Sequence, residues 1–292
     1  MAVVVPCYHP IPAYQGGPGE PLRLYPPVGT ASMSVPCGSC IGCRMSRAVE
    51  WGRRCEDEAR EWRYNSFLTL TYDDDHKVGE LVPDDLQAFL KRLRVDAVRH
   101  PSCYLRDAAF GVRFFACGEY GESNGRAHYH ALLFNCAFSD LSPVGRDVFR
   151  SSAIARLWPF GYHVVGTVTG ASACYVAKYN CKGSVGCDSD GVVRRPPFLR
   201  MSLKPGIGSG YLDKYRGDLR FGYCVDDGKR KRIPRAYKRK VRQIDPELYE
   251  VIDERGYEHR RSRGGEGLDV ERLEAGERIA ERRYELYGQR VL

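Results

Sequence analysis

The chain has 292 residues, of which 43% are hydrophobic and 28% charged, and a formal net charge of +8. That length supports a substantial core in one large domain or two modest ones, and no apolar run approaches the roughly 18 residues of a membrane-spanning helix. Met1 to Pro6 carries three valines but neither a basic start nor a long apolar stretch, so the expectation is a protein without an export signal that works in a reducing cytoplasm. There, its 12 cysteines point to metal ligands and buried thiols rather than disulfides.

The chain reads as three parts, 1–58, 59–185 and 186–292, with no internal repeat. In the first, Cys37-x2-Cys40-x2-Cys43 sets three thiols in a tight loop. Cys7 or His9 is the candidate fourth ligand of a tetrahedral structural zinc site. A C-x2-C-x2-C-x3-C iron–sulfur run would need cysteine at 47, which is Arg47. The competing reading is three reduced thiols in a simple knuckle. A helix is then predicted from Arg44 to about Trp62, because Ala48, Trp51, Cys55, Ala59 and Trp62 form one apolar stripe.

In the second part, Phe67 to Tyr72 is rich in β-formers. Asp84 is a candidate helix cap ahead of the face Leu86, Phe89, Leu90, Leu93 and Ala97. Arg113 to Glu119 and Ala127 to Phe134 read as strands, with the hairpin signal Asn124-Gly125 between them. A helix is expected near Val144 to Leu157, a strand over Tyr162 to Thr169 and a helix from about Ser172 to Cys181. Strands joined by a hairpin are antiparallel, so this order predicts an α+β domain around a mainly antiparallel sheet with flanking helices.

The third part holds a Gly/Pro-rich connector, a basic block and a charged C-terminal helix. From Lys229 to Arg242 there are nine Lys or Arg and no acid. Lys229, Arg230, Lys231, Arg232, Lys238, Arg239 and Lys240 are its candidate nucleic-acid contacts. A solvated tail is the bland alternative.

His128-Tyr129-His130 is the most informative triplet. Residues two apart in a strand share a face, so both imidazoles stand side by side. A two-residue turn at Asn124-Gly125 would pair positions summing to 249 and set Glu119 opposite His130. A one-step shift, to a sum of 247, would set it opposite His128. Either register puts the carboxylate on the histidine face. Imidazoles with a carboxylate suit Mg²⁺, Mn²⁺ or Zn²⁺, while a histidine pair satisfied by hydrogen bonds alone is the structural alternative. Tyr175 and Tyr179 are four apart in a helical stretch and share a face, with Lys178 beside Tyr175. A phenol, whose pKa is about 10, needs a nearby cation or a polarised phosphate to act as a nucleophile. The bland reading is an amphipathic core helix.

The stretches CGSCIGCR (37–44), FLTLTYDDDH (67–76), FLKRLR (89–94), ACGEYGE (116–122), AHYHALLF (127–134), YVAKY (175–179) and KPGIG (204–208) together resemble the HUH endonucleases, whose nuclease domain is RRM-like. They resemble in particular the replication initiators of gokushovirus-type microviruses. The resemblance covers about residues 7 to 215. One departure is Ala127, where many relatives carry proline.

The resemblance implies a rolling-circle replication initiator in the host bacterial cytoplasm. Glu119, His128 and His130 would hold Mg²⁺ or Mn²⁺, and Tyr175 would nick single-stranded or supercoiled origin DNA. The products would be a 5′-phosphotyrosine link and a 3′-OH primer, with Lys178 assisting and Tyr179 making a later cut before rejoining. The host helicase and polymerase would be partners. No G-x-x-x-x-G-K-[ST] loop is present, which fits rejoining without ATP. The competing functions are a non-enzymatic zinc and nucleic-acid-binding protein, and an HUH relaxase or transposase.

Overall fold

The structure is a computed structural model that describes residues 7–17, 20–27, 30, 33–76, 78–121, 125–178, 194–226, 228–263 and 269–287. The three-part division above follows chain order. By contact, the chain groups into two compact units, residues 51–211 and residues 1–50 with 212–292.

The first elements in chain order are β1 (Ile11–Tyr14), β2 (Arg23–Leu24), β3 (Met33–Val35), α1 (Ile41–Arg60), β4 (Asn65–Tyr72) and α2 (Pro83–Arg99). Then come β5 (Tyr104–Leu105), β6 (Arg113–Tyr120), β7 (Ala127–Phe134), β8 (Ala137–Phe138), β9 (Leu141–Gly145), β10 (Val148–Ser151) and α3 (Ser152–Leu157). After these the chain forms β11 (Gly161–Gly166), α4 (Gly170–Lys178), β12 (Phe198–Met201), α5 (Ser209–Tyr215), β13 (Cys224–Asp226) and β14 (Lys229–Lys231). It ends with α6 (Arg235–Ile244), α7 (Pro246–Arg263) and α8 (Val270–Tyr287).

The fold is α+β, as the sequence pattern predicts. A seven-stranded sheet of order β12-β6-β7-β4-β11-β10-β9 has antiparallel neighbours throughout and forms the centre of the 51–211 unit. Strand β4 shows why the sheet has two distinct faces. Its side chains alternate between half-buried and buried, and Leu68, Leu70 and Tyr72 enter the main core with Tyr129, Ala131 and Leu133 of β7. Leu86, Phe89, Leu90 and Leu93 of α2 and Ile154 and Trp158 at α3 cover that face. Residue parity sends Thr69, Glu119, His128 and His130 to the other face. There, Trp51 of α1 lies 5.0 Å from Phe115 of β6, ring to ring.

Three local expectations are corrected. Val144 to Leu157 is mostly a β-hairpin, β9–β10, followed by a six-residue helix. Asp147 takes a left-handed φ of 58° in its turn, a conformation that aspartate tolerates and that reverses the chain. Asp140 then accepts from the Ser151 hydroxyl and the Ala153 N–H, so the helix starts only at Ser152. Asp84 is not a cap. Helix α2 begins at Pro83 with Val82 at the N-cap and no side-chain cap bond, because both polar groups of the Val82 backbone are engaged by the Tyr129 hydroxyl at 2.9 Å. Finally, β12 adds an edge strand beside β6 where the sequence suggests only a connector.

The other unit carries the small sheet β2-β1-β3. It also has a separate core of Leu212, Leu219, Cys224, Ile233, Tyr237, Val241 and Ile252. Among the described residues, no helix is long and apolar enough to cross a membrane.

Candidate active site

Strand β7 lies between β6 and β4, so each of its outward side chains has a neighbour on both sides. The β6–β7 pairs sum to 247, with Glu119 opposite His128 and Cys117 opposite His130. Of the two registers the sequence allows, the structure takes the shifted one. Asn124 lies outside the described residues, but the loop that selects this register is closed by Gly121 N–H to the Arg126 carbonyl and Gly125 N–H to the Gly121 carbonyl. A two-residue turn would close the strands further along.

The consequence is a tight triad. Glu119 Oε1 lies 2.9 Å from His128 Nε2 and 2.8 Å from His130 Nε2. Glu119 is 2% exposed and His130 is 3% exposed, and the three ligand atoms sit within 4.8 Å of one another. Glu119 Oε2 is buried with no hydrogen-bond partner, an expensive condition for a carboxylate oxygen. The second nitrogen of each ring is engaged as well. His128 Nδ1 lies 3.0 Å from the Arg126 carbonyl, and His130 Nδ1 lies 2.9 Å from Thr69 Oγ1. Phe67 stacks on His130 with ring centroids 5.7 Å apart. This is how metal-ligating histidines are oriented, with Nδ1 held by an outer partner and Nε2 turned to the ion. An orphaned buried oxygen between two such imidazoles is a donor set that fits one divalent cation.

Electrostatics favour the protonation states that a metal needs. Burial pushes the Glu119 carboxyl up, but hydrogen bonds from His128 and His130 outweigh it and hold the pKa below the ordinary value. Burial lowers the pKa of His130 more than the Glu119 carboxylate raises it, which favours the neutral ring.

Helix α4 brings Tyr175 to this cluster. Its hydroxyl lies 3.4 Å from Glu119 Oε1, and its ring meets His130 edge to face at 5.1 Å. The helix seats itself through Ala173, Val176 and Ala177, all buried, and through two glycines that allow close approach to α1. A Cβ on Gly52 would lie 2.4 Å from Cys174 Sγ, and one on Gly170 would lie 1.9 Å from Glu56 Oε1. Lys178 is the last residue of α4; its side chain and the whole of Tyr179 lie outside the described residues.

The sequence reading missed Thr69 and Gly52. The alternation of FLTLTY carries a usable signal for Thr69, which sits two residues after Phe67 on the polar side of the strand. No local pattern marks Gly52 as a packing point. The KPGIG turn is also fixed by buried chemistry. Glu58 accepts from Gly208 N–H at 2.7 Å and Arg113 Nε at 2.5 Å, and Arg113 Nη2 donates to the Pro205 carbonyl.

In the other unit, the sulfurs of Cys7, Cys37, Cys40 and Cys43 form the second group able to hold a metal. The basic block divides between β14 and α6. Lys229, Arg230, Arg232 and Arg239 are exposed, while Lys231, Lys238 and Lys240 are half-buried. Arg230 lies over the Tyr223 ring at 4.6 Å, and Lys240 donates to Asp213 at 2.7 and 2.8 Å.

The family model for replication-associated protein ORF2 matches residues 65–184, the span from β4 past α4. The chain is 34% identical over 235 residues to replication-associated protein ORF2 of Spiroplasma virus 4, covering 74% of this chain and 70% of the relative. It is 35% identical over 232 residues to replication-associated protein VP4 of Bdellovibrio phage phiMH2K, covering 76% and 72%. Replication-associated protein ORF4 of Chlamydia phage 1 is 31% identical over 255 residues, covering 80% of this chain and 62% of that one. No solved structure matches the chain. With two relatives above 30% identity aligned over more than two thirds of both partners, the chain belongs to the family of microvirus replication-associated proteins.

Proposed function

We propose that the chain initiates rolling-circle replication by nicking single-stranded origin DNA with Tyr175. The observation that carries this reading is the convergence on one buried carboxylate oxygen, Glu119 Oε1, of two imidazoles and the hydroxyl of a tyrosine 56 residues away in sequence. A packed core needs no such meeting, whereas phosphoryl transfer to a phenol does. Glu119, His128 and His130 would hold Mg²⁺ or Mn²⁺, which when bound polarises the scissile phosphate as a Lewis acid.

The residues of the chain do the remaining work. Tyr175 Oη attacks the phosphorus, the bond to the 3′ oxygen breaks, and the phenolic proton ends on the freed 3′-OH. The phosphate stays esterified to the tyrosine, so rejoining consumes no ATP. Lys178 follows Tyr175 by three residues and is the candidate to stabilise charge on the phosphate. Tyr179 is the candidate for the second cut. The freed 3′-OH would prime the host polymerase, with the host helicase opening the duplex. The exposed cations of β14 and α6 suit sequence-independent contacts to DNA phosphates.

A covalent-adduct assay tests the reading. The full chain is incubated with single-stranded circular DNA and Mn²⁺ or Mg²⁺, with and without EDTA, and a DNA-linked protein band is sought on a denaturing gel. Adduct that requires metal and is lost in Tyr175→Phe and His128→Ala supports the proposal. Absence of adduct on origin-bearing DNA that the chain still binds refutes it, and would favour a binding protein without nuclease activity.

A further inference from the structure

The four cysteine sulfurs are too orderly for a chance gathering of thiols. Sγ of Cys37 and Cys43 lie 3.9 Å apart, as do Sγ of Cys40 and Cys7. A tetrahedral ion with metal–sulfur bonds of about 2.3 Å places its sulfurs about 3.8 Å apart, while a disulfide needs about 2.05 Å. Four backbone N–H groups point at these sulfurs. Cys37 N–H reaches Cys7 at 3.2 Å and Cys40 N–H reaches Cys37 at 3.4 Å. Tyr8 and Cys43 N–H both reach Cys40, at 3.4 and 3.5 Å. Amide donors stabilise sulfur that carries negative charge, as it does when bound to a cation.

Three of the sulfurs come from the knuckle that opens α1, and the fourth arrives from 30 residues earlier. His9, the rival for the fourth position, is used elsewhere, with Nε2 2.6 Å from Glu277 Oε2 on α8. The same segment seats that helix. A Cβ on Gly276 would lie 3.1 Å from the Tyr8 ring, and Ala280 and Tyr284 pack on the cluster of Tyr8, Cys40, Ile41 and Cys43.

We propose that Cys7, Cys37, Cys40 and Cys43 bind one structural zinc ion, and that this ion holds helix α8 by fixing the Cys7–His9 segment on which the helix rests. Four sulfur donors complete a tetrahedral shell, so no position remains for substrate, and the site is structural rather than catalytic. An all-thiolate set selects zinc or iron over the Mg²⁺ or Mn²⁺ suited to Glu119, His128 and His130. Zinc binding releases the thiol protons to solvent.

The test uses the purified full chain, dialysed against EDTA and analysed for zinc and iron by mass spectrometry. One zinc per chain is expected. It should persist in His128→Ala and His9→Ala and be lost in Cys7→Ser and Cys40→Ser. Replacement by Co²⁺ should give the intense thiolate charge-transfer bands of a tetrahedral four-sulfur site, which reads the ligands in the unaltered chain even where a serine variant misfolds. Stripping zinc with a mercurial should speed proteolysis within 270–287 at least tenfold and leave cleavage within 51–211 at its original rate. Iron in the same stoichiometry, zinc lost with His9→Ala or His128→Ala, or a chain with no tightly held metal would overturn the site. Unchanged cleavage within 270–287 after zinc release would overturn its role in seating α8.

Discussion

The hydrogen bond from Thr69 to His130 offers the sharpest test of how the sheet prepares the candidate site. Thr69→Val keeps a β-branched side chain of the same shape and removes only the oxygen that lies 2.9 Å from His130 Nδ1. His130 is 3% exposed, so water has little access to replace the missing partner. Leaving a buried ring N–H unpaired costs about 1–3 kcal/mol. Loss of an outer partner of a metal-ligating histidine typically weakens metal binding about 10- to 100-fold, which corresponds to about 1.4–2.8 kcal/mol. The two figures agree. Mn²⁺ binding measured by calorimetry should therefore weaken by about one to two orders of magnitude, and the adduct rate should largely recover at saturating Mn²⁺. Thr71→Val is the matched control, because Thr71 pairs with His128, whose ring is held by the Arg126 carbonyl instead. Unchanged Mn²⁺ affinity in Thr69→Val, or equal loss in both variants, would refute the argument.

Packing, buried charge and surface charge each supply a further test. Gly52→Ala puts a methyl 2.4 Å from Cys174 Sγ; it should cost about 1–3 kcal/mol as overpacking and lower the adduct rate by shifting α4, with Mn²⁺ affinity retained. Glu58→Ala strips a buried carboxylate from Arg113, whose side chain is 13% exposed, and should destabilise the chain by about 3–5 kcal/mol in urea unfolding. The metal-free chain should lose stability in acid. Burial lowers the pKa of His130 from its usual 6.5, so the unfolded chain takes up that proton first as pH falls. The His130 contribution is complete above about pH 6.5 and shrinks below it; Glu119, also lowered, adds a loss of the same sign as pH falls through the carboxylate range. Melting temperatures across this range should show the loss, with a shallower slope in His130→Gln. Finally, Arg230→Ala with Arg239→Ala should reduce the salt dependence of single-stranded DNA binding by about 0.7 for each phosphate no longer neutralised, read by fluorescence anisotropy; an unchanged slope would remove this surface from the DNA path.

The candidate site was legible in the sequence to the degree that local periodicity governs it. Strand period alone puts His128 and His130 on one face, and the hairpin on either side of the loop brings Glu119 to that face in both registers. The register itself was not legible, because 247 and 249 share the same parity and differ only in how the Gly121–Arg126 loop closes. The misread β9–β10 hairpin has a similar cause. Its residues are weakly patterned, and the edge of β11 supplies the pairing that makes them strands.

By itself the sequence determined which side chains share a face, since periods of 2 and 3.6 are properties of the backbone, and it determined the Cys37, Cys40 and Cys43 knuckle through its spacing. Tertiary structure alone decided which distant groups meet. Tyr175 reaches Glu119 because glycines at 52 and 170 let α4 lie close to α1. Cys7 rather than His9 completes the sulfur cluster because His9 is drawn to Glu277. Such meetings depend on loop closure and side-chain packing across long stretches of chain, and no local pattern encodes either.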